Sequence, residues 1–174
     1  MFNNESIIKS YYDMFECLAD TLELWGEILA EEYKNKLESD GINASGKLSN
    51  SVKSQFKIDG TVYEIDFQLE QYWRAVEDGR KPTQNDGNGE LRRNILEWIK
   101  VKPILPTPYD GKLPTEEQLA YLISRKIHQF GYEGKRPLHN TLVDNKEDLY
   151  KDIEEALRKD LSTDVVNILR TITA

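Results

Sequence analysis

An α+β fold, with a small antiparallel sheet packed by helices and a long helix at each end, follows from three observations. Residues 5–38 carry one apolar stripe at helical spacing, residues 52–69 alternate as two strands around an Asp-Gly pair, and helical periodicity returns after residue 90. At 174 residues the chain suits one domain with a real core. We read it as a single domain over 1–174, with a long N-terminal helix (1–40), an α+β core (45–143) and a C-terminal helix (144–174).

The first helix places Ile8, Tyr11, Phe15, Leu18, Leu22, Trp25, Leu29, Tyr33 and Leu37 in steps of three or four, interrupted only by Gly26. It would be about 50 Å long, more than a small domain covers, so part of it is expected to pack on a neighbouring subunit. Ser39-Asp40-Gly41 stops it, and the small-residue run Ala44 to Ser51 leads into the sheet. Val52, Phe56 and Ile58 share one face of the first strand. Asp59-Gly60 is expected to be the hairpin turn, and Tyr63, Ile65, Phe67 and Leu69 share one face of the return strand. A short helix over residues 70–78 then puts Tyr72, Trp73 and Val76 inward and ends at Gly79, a residue that tolerates positive φ.

Lys81 to Gly89 is polar and glycine-rich, as in a mobile surface loop, and residues 90–100 form the next helix. Four prolines between Val101 and Pro114 exclude helix or central strand there. Thr115-Glu116-Glu117-Gln118 is a capping box opening a helix with Leu119, Leu122, Ile123, Ile127 and Phe130, stopped by Gly131. Gly131 to Leu138 is expected to be a tight basic turn. The last helix is expected from Asp144 through Leu149, Ile153, Leu157 and Leu161, with a pause at Ser162-Thr163-Asp164.

The composition, 39% hydrophobic and 31% charged, is that of a soluble globular protein. No apolar run approaches a membrane span, and residues 1–5 are no signal peptide, so the chain is expected in a cytoplasm, with no membrane partner. The net charge is −8, and residues 1–40 account for seven of those charges. Such a chain gains nothing from phosphate neutralisation, which argues against DNA binding. Basic residues gather instead in small patches, at Arg74/Arg80/Lys81, Arg92/Arg93 and Lys135/Arg136.

Catalytic chemistry finds little purchase. One cysteine excludes an internal disulfide and a cysteine-rich zinc site, and Cys17 lies beside Glu16 and Asp20, whose charges disfavour a thiolate. His128, on a helix, and His139, in a loop, fit no zinc motif and are expected to be structural. No cofactor, metal or catalytic residue is therefore expected. The alternative is a metal-dependent nuclease using Glu64, Asp66 and Glu70 with the acidic-x-Lys tripeptide Glu133-Gly134-Lys135, although Glu64, Asp66 and Gln68 are more simply the wet face of a hairpin. A further alternative is a cytosolic adaptor whose long helix binds a partner helix.

The densest stretch is Gln71 to Pro82, where aromatic, basic and acidic residues crowd into a short helix and its corner. Aromatics beside arginine are typical of protein–protein hot spots. After the Ser45–Ser51 entry and the hairpin come Tyr72-Trp73-Arg74-Ala75-Val76-Glu77-Asp78-Gly79-Arg80-Lys81-Pro82, the Trp98 helix, the helix through Ala120–Ile127, and Lys135-Arg136-Pro137-Leu138 before the last helix. In this order, roughly over residues 45–160, the chain resembles the head–tail connector (neck and tail-completion) superfamily of tailed bacteriophages. That family has a Tyr-Ala-x-x-Val-Glu-x-Gly-(Arg/Thr)-x-Pro segment and an Arg-Pro-Phe segment. This chain departs at Trp73-Arg74, Asp78 and Leu138.

The resemblance implies a non-catalytic virion protein, assembled in the host cytoplasm into a ring of six or twelve subunits in the neck. Its partners would be the portal or an adaptor and the tail proteins, with DNA passing through the lumen unbound. The expected interface residues are Trp73, Arg74, Glu77, Gly79, Arg80, Lys81, Lys135 and Arg136. In this reading Tyr72 and Val76 anchor the short helix, Glu77 holds a nearby backbone group or arginine, and the basic corners meet a neighbour's acidic helix face.

Overall fold

The computed structural model describes residues 15–173 except 43, 60, 84–88, 103, 105, 107, 109 and 110. The described residues are α+β, with six helices and two small antiparallel two-stranded sheets. In order they are α1 (Glu16–Ser39), α2 (Lys47–Ser51), β1 (Lys53–Asp59), β2 (Val62–Gln68), α3 (Trp73–Glu77), β3 (Gly79–Arg80), α4 (Glu90–Val101), α5 (Glu116–Phe130), β4 (Tyr132–Glu133) and α6 (Pro137–Thr173). The chain divides into two compact units, one drawn from Met1–Lys36, Ser51–Leu69 and Leu138–Ala174, the other from Leu37–Asn50 and Glu70–Pro137.

In the first unit the hairpin and α6 pack with α1. The apolar stripe read in α1 is buried at Trp25, Leu29 and Tyr33, each worth about 1.5–3 kcal/mol in removed apolar surface. Gly26 is part of that face. A Cβ there would come within 3.2 Å of Ile65 Cγ2 and 3.3 Å of Ser54 Cβ, so the hairpin lies close against this turn of the helix. Alternation holds on both strands, with Phe56 paired to Ile65 and Ile58 to Tyr63 on the inner face and an ion pair from Lys57 to Asp66 on the outer. Phe15 meets Tyr63 edge-on at 6.3 Å. Asp59 pairs with Val62 and so belongs to the ladder, not to the turn that the Asp-Gly pair suggested; Gly60 is outside the described residues.

Helices α1 and α6 run antiparallel. Trp25 Nε1 donates to Asp152 at 3.0 Å, while the backbone N–H groups of Cys17 and Leu18 donate to the two carboxylate oxygens of Asp160 at 3.0 and 2.9 Å. Those N–H groups are first-turn donors that have no partner within a helix. Asp160 thus caps the first turn of α1, which begins at Glu16; the part of the expected helix over residues 5–14 lies outside the described residues.

Helix α6 corrects the expectation at its other end of the chain. It spans 37 residues and begins at Pro137, seven positions before Asp144, with proline in the first helical position where its missing N–H costs nothing. His139 therefore sits in the first turn of a helix and not in a loop. The pause at Ser162-Thr163-Asp164 is absent, because the Ser162 and Thr163 hydroxyls donate to the Lys159 carbonyl at 2.8 and 3.0 Å and so follow the helix backbone.

In the second unit, α1 ends in a Schellman turn. Ile42 N donates to Leu37 O and Gly41 N to Glu38 O, both at 2.9 Å, with Gly41 at φ 65°. The small-residue run before the sheet is not extended; it closes into α2, which buries Leu48 and Ser49. Helix α4 packs on α5, and the capping box at Thr115 is complete: Gln118 N donates to Thr115 Oγ1 at 3.3 Å and Thr115 N to Gln118 Oε1 at 3.0 Å. The face of α5 is rotated from the expected one. Ala120, Ser124 and His128 are buried, while Leu122 and Phe130 are 53% and 64% exposed. Val101 still belongs to α4; past it the described residues to 114 carry no helix, as the prolines require, and their one strand feature is an isolated bridge at Lys112.

No helix among the described residues is long and apolar enough to cross a membrane. Replacing Asp160 with Ala strips two N–H groups of their acceptor and is expected to lower unfolding free energy by about 1–2 kcal/mol, seen as an earlier urea midpoint at unchanged slope. Asp160→Asn, which keeps one carbonyl acceptor, loses less.

Candidate functional site

The corner that follows α3 is held by backbone. α3 is little more than a turn, closed by Asp78 N donating to Arg74 O at 2.8 Å, and Gly79 follows at φ 77°. β3 then pairs antiparallel with β4, Gly79 opposite Glu133 and Arg80 opposite Tyr132. Residues 134–136 continue over the end of α3, where Lys135 N donates to Val76 O at 3.1 Å and Arg136 N to Glu77 O at 3.3 Å. The segment expected to be a simple basic turn is therefore a strand and an anchor for the terminal carbonyls of α3.

Three glycines permit this approach. A Cβ on Gly79 would lie 2.2 Å from Tyr132 O, one on Gly131 2.2 Å from Arg80 O, and one on Gly134 1.9 Å from Glu77 O. No side chain fits any of these positions. Gly131 and Gly134 escaped the sequence reading as site residues. Their signal was the spacing Gly-Tyr-Glu-Gly, two glycines flanking a two-residue strand.

This pairing joins two of the basic patches. Arg80 is half-buried, and Lys81 and Arg136 are exposed; Arg136 holds φ 51°, uncommon for a residue with a side chain. Arg74 is exposed and its guanidinium lies 5.6 Å from the Trp73 ring, a cation–π contact that keeps both side chains at the half-open face of α3. Tyr72, expected inward, is 44% exposed, and the side chain that is buried is Glu77, at 8%. Tyr72 precedes a helix too short to turn it under. Partial burial and the nearby Glu70 charge raise its phenol pKa, against a backbone hydrogen bond at Leu48. At Tyr132, half burial raises the pKa and the Arg80 charge opposes it.

Lys135 also reaches the end of α1. Its Nζ donates to Asp40 O at 2.7 Å, and Lys102 Nζ donates to Gly41 O, so two lysines sit on the carbonyl end of α1, where a helix favours cations. Lys135 remains exposed while it makes this contact. The polar loop is likewise fastened where it begins. Thr83 N donates to His128 O at 2.8 Å, and the Thr83 hydroxyl is hydrogen-bonded to His128 Nδ1, which gives His128 the structural role expected of it. Residues 84–88 of that loop lie outside the described residues.

Of the carboxylates considered for metal chemistry, Asp66 is paired with Lys57 across the hairpin, and among the described residues no three His, Cys, Asp or Glu side chains are grouped to hold an ion. Cys17 has its thiol pKa raised, as its acidic surroundings implied, but by a different carboxylate. The hydrogen bond to Asp160 from α6 is the largest cause, followed by burial and the Asp160 charge, with Glu16 a minor contributor.

Gly134→Ala is expected to lose more than about 2 kcal/mol, since the methyl group meets a carbonyl that cannot yield, with fast amide exchange at Lys135 and Arg136 as its signature. Alkylation of Cys17 by iodoacetamide is expected to move to lower pH in Asp160→Asn: the wild-type carboxylate resists a neighbouring thiolate, and the neutral amide does not. Against known proteins, no family model, no curated protein and no solved structure matches the chain, so the corner is interpreted from its own chemistry.

Proposed function

We propose that the protein is a structural virion component of the phage neck or tail-completion type, an oligomeric ring joining the portal side of the head to the tail. The observation that supports this most is the corner itself. Backbone pairing of β3 with β4 brings Arg80, Lys81 and Arg136 onto one rigid edge beside the Trp73–Arg74 stack, the residue types that dominate protein interfaces.

A closed ring needs two different, complementary surfaces on each subunit. The basic corner is one. The other is the solvent face of α1, where Glu16, Glu23, Glu27, Glu31, Glu32 and Glu38 are all exposed. In this reading Arg80, Lys81 and Arg136 meet the acidic face of the next subunit, Trp73 and Arg74 flank the contact, and Glu77 and Gly79 hold the edge in shape. Lys135, exposed next to Arg136, also holds the Asp40 carbonyl of its own subunit. A net charge of −8 suits a channel through which DNA slides without condensing on the wall.

Mass photometry of the purified chain is expected to show closed assemblies of six or twelve copies. The double reversal Arg80→Glu/Arg136→Glu should return them to smaller species, because it sets carboxylates against carboxylates. An assembly mass unchanged by that reversal would sink the proposal.

A further inference from the structure

Beyond Asp160, α6 changes character. Up to that residue the helix buries Thr141, Ala156 and Asp160, and its outer face carries the i,i+4 pairs Glu154–Arg158 and Glu155–Lys159. From Leu161 to Ile172 every residue except Asp164 is exposed. Six of them are apolar; Leu161, Val165, Ile168 and Ile172 follow steps of four, three and four, with Val166 and Leu169 alongside, and Ile172 is 75% exposed. That is the spacing of a coiled-coil seam, with Leu161 and Ile168 at d and the β-branched Val165 and Ile172 at a.

The segment is also a poor helix former alone. Thr163, Val165, Val166, Ile168, Thr171 and Ile172 are all β-branched and lose side-chain freedom in a helix. An isolated helix of some three turns is marginal in water. Packing along the seam is what would hold it helical.

Charge selects the occupant. A chain carrying −8 repels a copy of itself over most of its surface. Within 161–172 the only charged side chains are Asp164 and Arg170, which cancel. Two copies can therefore meet here without like-charge repulsion.

We infer that residues 161–172 of α6 are a self-association seam that packs against the same segment of a second copy of this chain. The seam shares no residue with the basic corner, and the ring reading neither requires nor supplies it.

Sedimentation velocity of the full chain across a wide concentration range tests it, in the Arg80→Glu/Arg136→Glu background that disables the proposed ring contact. The mass is expected to rise with concentration to that of two chains or more, with helical ellipticity rising alongside. Adding Val165→Asp and Ile168→Asp should restore a single-chain mass throughout, while Thr163→Asp, away from the seam, should leave association intact. Near-ultraviolet dichroism from the buried Trp25 reports that the core is unaltered in each variant. A background protein that stays single-chain at every concentration overturns the inference, as does association that survives the two seam aspartates.

Discussion

Helix ends leave backbone donors and acceptors without partners, and in this protein distant parts of the chain supply them. The first N–H groups of α1 are taken by Asp160, more than a hundred residues later. The carbonyls just past its other end receive Lys102 and Lys135. The last carbonyls of α3 accept from the backbone of Lys135 and Arg136, and His128 near the end of α5 accepts from Thr83. Helix α5, by contrast, begins with a purely local solution, its capping box. An unsatisfied buried backbone group costs free energy comparable to a lost hydrogen bond, so each of these contacts constrains where a remote segment can lie.

The corner shows how that requirement shapes a surface. To satisfy Val76 and Glu77, residues 131–136 must approach backbone to backbone, and only glycine at 79, 131 and 134 allows it. Once they do, two basic stretches more than fifty positions apart in sequence share one edge. The edge is fixed by main-chain geometry, which leaves its side chains free to face a partner.

Asp160 carries a second consequence of the same kind. A carboxylate placed to cap a helix also lies against the Cys17 thiol, and its hydrogen bond, more than its charge, raises that thiol's pKa. The residue thereby joins α1 to α6 and quiets a lone cysteine. It also marks the point past which α6 no longer buries a face and turns instead into an exposed seam.

Local chemistry was legible in the residues themselves. The hairpin alternation, the stripe from Trp25 to Leu37, the capping box at Thr115, the positive φ of Gly79 and the proline-barred linker all rest on neighbours within a few positions. What required the tertiary structure was every feature with a remote partner. The start of α1 depended on Asp160, the depth of Glu77 on the strand that crosses it, the contact of Lys135 on the carbonyl of Asp40, and the rotated face of α5 on what packs against it. The union of Arg80 with Arg136 depended on three glycines whose spacing looks like an ordinary turn. Periodicity and propensity are written along the chain; the satisfaction of orphaned backbone groups is decided only when distant segments meet.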